Sequence, residues 1–126
     1  MVKAVAGFLN SAGGTLLIGV TDGGQVVGLE PDFAIFGTKR DPADAFINWL
    51  TTFLTQALGA ADSALARIRV EEIDRLRVCR VDVPASSHPV FVATEDDAFF
   101  VRFDNSTRRL TPRQTMEYAH GRWPGG

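Results

Sequence analysis

The stretch 10-NSAGGTLLIGVTDGG-24 decides how the chain folds. Its apolar run 15-TLLIGVT-21 and the following 25-QVVGLE-30 are rich in β-branched residues and are joined by Asp22-Gly23-Gly24. That spacing predicts a tight hairpin, with glycine supplying the positive φ that primed turns need. Upstream, Val2, Val5, Phe8 and Leu9 fall on one helical stripe. The order is therefore helix, Gly13-Gly14, strand. A phosphate-cradling glycine loop has the opposite order, because it places the anion at a helix N-terminus. Here the glycines meet a helix C-terminus, where free carbonyls and the negative end of the dipole repel phosphate. Gly13-Gly14 is expected to cap the helix and let it pack closely on the sheet. Gly19, read as lying inside the strand, suggests a bulge or a close backbone approach.

Outward from this stretch, residues 31 to 41 read as loop, with Asp41 as cap of the helix 42-PADAFINWLTTFLTQAL-58. Phe46, Ile47, Leu50, Phe53, Leu54, Ala57 and Leu58 form its apolar face, Trp49 is expected in the core, and Gly59 stops it. A second hairpin is predicted from 66-ARIRVEEID-74 and 76-LRVCRVDVP-84, and a third from 90-VFVAT-94 and 98-AFFVRF-103. The tail 111-TPRQTMEYAHGRW-123 reads as a helix with Thr111 as cap and Pro112 at its first position. Together these predict an α+β fold, a mostly antiparallel or mixed sheet built from hairpins with about three helices packed on it. The chain is expected to be a single domain over 1–126. Its first helix starts without a capping residue, as though a preceding segment of a longer protein were missing.

With 126 residues, 45% hydrophobic and 22% charged, the composition is that of one globular domain with a single core. No apolar run approaches the roughly 20 residues of a membrane span, so no membrane partner is expected. One cysteine, Cys79, precludes an internal disulfide and fits a reducing cytoplasm. His88 and His120 lack any zinc-like spacing, and Ser87 and His88 lack the elbow of a nucleophilic dyad, so no cofactor, metal or catalytic group is assigned. The formal charge of −2 means that nucleic-acid binding would rest on a local basic patch.

Such a patch exists in 102-RFDNSTRRLTPR-113, where Arg102, Arg108, Arg109 and Arg113 oppose only Asp104. Asn105, Ser106 and Thr107 suit a turn between strand and helix, and guanidinium forks beside hydroxyl and amide donors suit phosphate oxygens. The alternative is that these arginines pair with the acids of 95-EDD-97 or stay solvated. Phe99 and Phe103 share a strand face, and packing is the main job expected of the phenylalanines here.

The two stretches together resemble the Schlafen Alba-like domain of the Alba-two type, a family described as DNA-binding. The family pattern AFAN-x-x-GG-x-LLIGV-x-D-x-G is matched by 6-AGFLNSAGGTLLIGVTDGGQVVGL-29, and its VR-x-G-x-ST-R by 99-FFVRFDNSTRRL-110. The segment 82-DVPASSHPVFV-92 resembles the link between them. Phe103-Asp104 departs from the family, which has glycine near this point. The resemblance implies a DNA- or RNA-binding module within a larger protein; by the reading of the basic segment it would touch phosphate through Arg102, Asn105, Ser106, Thr107, Arg108, Arg109 and Arg113, with Lys39 and Arg40 as flanking contacts. In animal Schlafens a related fold cleaves transfer RNA with clustered carboxylates. By that resemblance Asp22 matches one acid, but the partner glutamates belong to a segment before the first helix. No nuclease activity is therefore expected of this chain. Two alternatives stand beside nucleic-acid binding: a protein-interaction or homodimerisation domain, and a remnant of a metal-dependent RNA nuclease.

Overall fold

The computed structural model describes residues 1–19 and 42–125. In chain order the elements are α1 (Val2–Leu9), β1 (Gly14–Ile18), α2 (Pro42–Leu58), α3 (Ala60–Ser63), β2 (Arg67–Ile73) and β3 (Leu76–Val83). A two-residue β4 (Phe91–Val92), one 3-10 turn (Ala93–Glu95), β5 (Ala98–Phe103), β6 (Ser106–Leu110) and α4 (Pro112–Arg122) follow. The expected α+β architecture is the one observed, with the strands divided between two antiparallel sheets ordered β1-β3-β2 and β4-β5-β6. The second half of the first predicted hairpin, the Asp41 cap, Asp22, Lys39 and Arg40 lie outside the described residues.

α1 lies at the centre because its apolar stripe meets both sheets. Val2, Val5, Ala6, Phe8 and Leu9 share one core with Leu50 and Leu54 of α2, Cys79, Val81 and Val83 of β3, and Val92, Ala98 and Phe100 of β4 and β5. Each Val, Leu or Phe side chain among them, taken fully from water, contributes about 1.5–3 kcal/mol. In β3 the inward residues Cys79, Val81 and Val83 alternate with Val78, Arg80 and Asp82, as the period of two requires.

Two expectations need correction. Trp49 is 43% exposed and Phe53 38% exposed. The buried stripe of α2 runs through Phe46, Leu50, Leu54 and Ala57, and Trp49 and Phe53 sit one residue away from it. That offset rotates them about 100° round the helix, toward its flank, where their rings stack at 5.7 Å. Gly19 follows the last residue of β1 with φ of 100°, so it ends the described strand and does not lie within it.

A third difference shapes the candidate site. The segment Ser106–Leu110 is a strand, and the turn that precedes it is confined to Asp104 and Asn105. Asp104 takes φ of 52°, a left-handed conformation that Asp and Asn tolerate better than most side chains. β5 and β6 then form a hairpin with Arg102 opposite Thr107 and Val101 opposite Arg108.

Candidate nucleic-acid interface

The Gly13-Gly14 junction is built as a helix end. Gly13 has φ of 76°, and its N–H donates to the Phe8 carbonyl at 2.9 Å. A Cβ on Gly13 would stand 2.6 Å from the Val83 carbonyl oxygen, and one on Gly14 would stand 2.5 Å from the Phe8 ring. Both glycines are needed for close helix–sheet approach, which leaves no room there for an anion.

The polar residues before the glycines have a larger role than the sequence suggested. Asn10 is fully buried. Its amide donates to the carbonyls of Val90 at 2.9 Å and Phe100 at 2.8 Å, and its Oδ1 accepts from the Val90 N–H at 2.8 Å. Ser11 Oγ accepts from the Arg102 N–H at 2.9 Å. The same two residues receive α4, through Tyr118 Oη donating to the Asn10 carbonyl at 2.5 Å and the Arg122 guanidinium donating to the Ser11 carbonyl. Trp123 Nε1 completes the attachment by donating to the Ser86 carbonyl at 3.0 Å. The signal available in the sequence was a lone amide at an otherwise apolar helix end.

α4 starts as predicted. Thr111 Oγ1 accepts from the Gln114 N–H at 3.2 Å, and Gln114 Oε1 accepts from the Thr111 N–H at 3.0 Å, a complete capping box. The helix lies across Phe99, whose ring meets Tyr118 at 5.8 Å and Trp123 at 6.4 Å. Trp123 thus closes over the second sheet.

β-pairing separates the arginines that the sequence groups together. Paired residues share a face, so Arg102, Thr107 and Arg109 lie on the side of Phe100, toward α1, and Ser106 and Arg108 lie with Phe99 and Phe103, toward α4. Arg102 is drawn inward: Nη1 donates to Thr107 Oγ1 at 2.8 Å, and its guanidinium carbon is 5.1 Å from the centre of the Phe8 ring. Ser106 Oγ donates to the Phe103 carbonyl at 3.3 Å, closing the hairpin turn. Arg108, Arg109, Arg113 and Asn105 are exposed, and Arg108 stands 5.8 Å from the Phe103 ring centre. Among the described residues no carboxylate lies within ion-pair distance of Arg108, Arg109 or Arg113, so of the two alternatives, pairing with 95-EDD-97 or staying solvated, these three take the solvated one.

Two further charged groupings stand apart from this hairpin. On the outer face of the first sheet, Asp82 accepts from Thr15 Oγ1 at 2.8 Å, from Arg80 Nε at 3.0 Å and from Arg69 Nη2 at 3.3 Å. The Thr15 hydroxyl and the Arg80 guanidinium, assisted by the field of Arg80 and Arg69, hold its carboxyl below the usual carboxylate value. His88 Nε2 lies 2.6 Å from Asp62 Oδ1, tying the loop before β4 to α3. Among the described residues no group of three or more His, Cys, Asp or Glu is arranged to hold a metal ion. Nor, among them, is any helix long and apolar enough to cross a membrane.

A short α1, a glycine-pinned junction and two small antiparallel sheets define an α+β domain of a known type. The chain belongs to the Schlafen, AlbA_2 family, whose pattern matches residues 1–111. α4 therefore lies just beyond the matched part. The fold is also similar to the crystal structure of the DIP2311 protein from Corynebacterium diphtheriae, with a TM-score of 0.65 and 22% identity. That match covers 96% of this chain and 21% of the other, so the chain spans about a fifth of that protein's length. No curated protein resembles the chain closely enough to count as a relative.

Proposed function

We propose that this domain is a nucleic-acid-binding module that works within a longer protein and grips phosphates with Arg108, Arg109 and Arg113. The observation that carries the reading is that these three guanidinium groups are exposed, with Arg108 and Arg109 on the two faces of β6 and Arg113 in the first turn of α4, and have no internal counter-ion among the described residues. Between Arg102 and Arg122 the chain holds five arginines against Asp104 and Glu117, within a molecule of net charge −2. A local basic patch of this kind supplies sequence-independent attraction to a phosphate backbone. Asn105, at the hairpin turn, adds an amide donor. Family membership supports the reading. Cys79 is buried and its thiol is pushed up to about 11 by desolvation, which leaves it an unreactive packing residue.

The test is fluorescence anisotropy with labelled DNA and RNA during a salt titration. Binding at about 50 mM salt, with a log–log slope that falls by roughly 1 for each phosphate-contacting arginine removed, is the expected result. Absence of binding at low salt, or an unchanged slope in R108A/R109A, defeats the proposal. A second reading, self-association, draws on the exposed Trp49 and Phe53 of α2. Sedimentation equilibrium giving a stable dimer with no nucleic-acid affinity would favour it.

A further inference from the structure

Beside α4 the β5–β6 hairpin forms an open groove of about 620 Å³, whose lining includes Phe103, Arg108, Arg109, Gln114, Glu117 and Tyr118. Phe103 is the outermost of a row of aromatic residues on this face of the sheet. Phe99 in the same row is buried beneath Tyr118 and Trp123, whereas Phe103 stays 46% exposed. Nearly half of the Phe103 side chain is thus open to solvent. Here it adjoins the Arg108 guanidinium on the same strand face.

We propose that this groove takes one unpaired base of a single-stranded nucleic acid, stacked on Phe103, with Arg108 on the adjoining phosphate. The inference rests on the nucleic-acid reading above and narrows its substrate class. An aromatic face beside a guanidinium is the pairing that holds single strands, because every base offers a π-face and every linkage a negative charge. The wall opposite is contributed by α4. Glu117 there repels a phosphate, and it accepts hydrogen bonds from the N–H groups on a base edge. Gln114 offers both a donor and an acceptor, although its Oε1 already serves the Thr111 N–H. The groove is therefore cationic on the strand side and anionic on the helix side, which matches a nucleotide and not a bare phosphate. In a duplex the bases are stacked and paired, so only the backbone would reach Arg108.

The test compares a labelled oligo-dT of roughly 12 nucleotides with a duplex of the same length, by anisotropy at low salt. The wild-type chain is expected to prefer the single strand. Phe103→Leu, which keeps an apolar side chain at an exposed site, is expected to weaken oligo-dT binding about tenfold and leave duplex binding unchanged. Phe103→Tyr should retain the wild-type preference. Equal affinity for both forms, or a Phe103→Leu variant that binds oligo-dT as the wild type does, overturns the base site alone. Absence of wild-type binding to both forms at low salt overturns the underlying reading as well.

Discussion

Asn10 and Val90 clasp each other reciprocally: the Asn10 amide donates to the Val90 carbonyl, and the Val90 N–H donates back to Asn10 Oδ1. With the further bond to the Phe100 carbonyl, one buried side chain ties the end of α1 to the second sheet. Asn10→Leu keeps the volume and removes all three bonds, leaving main-chain polar groups buried without their partner. An unsatisfied buried group costs about 1–3 kcal/mol, so a loss of roughly 3–5 kcal/mol is expected. Tyr118→Phe, which removes a single bond to the Asn10 carbonyl, should cost about 1 kcal/mol. Urea denaturation of the two variants gives both numbers. A loss for Asn10→Leu no larger than that for Tyr118→Phe would refute the role of Asn10 as the tie.

Three glycines separate backbone strain from steric clash. Gly59 has φ of 88° and ψ of 158°, a region almost reserved for glycine, with no atom within 4 Å of a built Cβ, so Gly59→Ala should cost about 1–3 kcal/mol from conformation alone. Gly13 adds to a similar φ the approach of the Val83 carbonyl at 2.6 Å, so Gly13→Ala should cost clearly more than Gly59→Ala. Gly121 lies within α4 in open space with ordinary φ, and Gly121→Ala should stabilise by about 0.5–1 kcal/mol through helix propensity. Thermal melts would rank the three, and Gly13→Ala melting with Gly59→Ala would remove the clash from the account.

What was legible in the sequence is what is decided locally. The Thr111-Pro112 helix start, the β2–β3 hairpin and the glycine-pinned end of α1 each depend on residues a few positions apart. The role of Asn10 depends on partners 80 and 90 positions away, and no pattern near residue 10 encodes them. The same holds for β6: Ser106 and Thr107 resemble turn residues, and only pairing with β5 makes them a strand. That pairing also decides which arginines point toward α1 and which toward α4, so the composition of the basic segment was readable and its division between two faces was not.

The carboxyl of Asp82 is held below its ordinary value by Thr15 and Arg80. Its ionised form is therefore favoured in the folded chain relative to the unfolded one. The contribution to stability is fully present above the unfolded carboxyl value of about 3.9 and is lost as pH falls through the lower folded value. Asp82→Asn should melt below the wild type at pH 7, and the gap should narrow steadily below about pH 4. Added salt should shrink the gap only in part, since Arg69 is largely exposed while the Thr15 hydrogen bond is short-range. A gap that stays constant down to about pH 2 would show that the carboxyl charge is not its source.

Arg102 and Arg108 stand six residues apart in the sequence yet should respond oppositely to truncation. Arg102 spends its guanidinium on Thr107 Oγ1 and on the Phe8 ring, at the seam between α1 and the hairpin. Its aliphatic stem fills space there, so Arg102→Ala removes packing as well as a hydrogen bond and should cost about 1–2 kcal/mol of stability. Arg108 is exposed and, among the described residues, stands beside the Phe103 ring, and Arg108→Ala should leave stability within about 0.5 kcal/mol of wild type. In binding the order reverses. Arg108→Ala should lower affinity and reduce the salt slope by roughly 1, while folded Arg102→Ala should keep the wild-type slope. Measuring urea midpoints and salt-titrated anisotropy on the same two variants decides the matter. If Arg102→Ala lowers the slope as far as Arg108→Ala does, then Arg102 leaves its seam to reach phosphate, and the division of labour between the two faces of the hairpin is wrong.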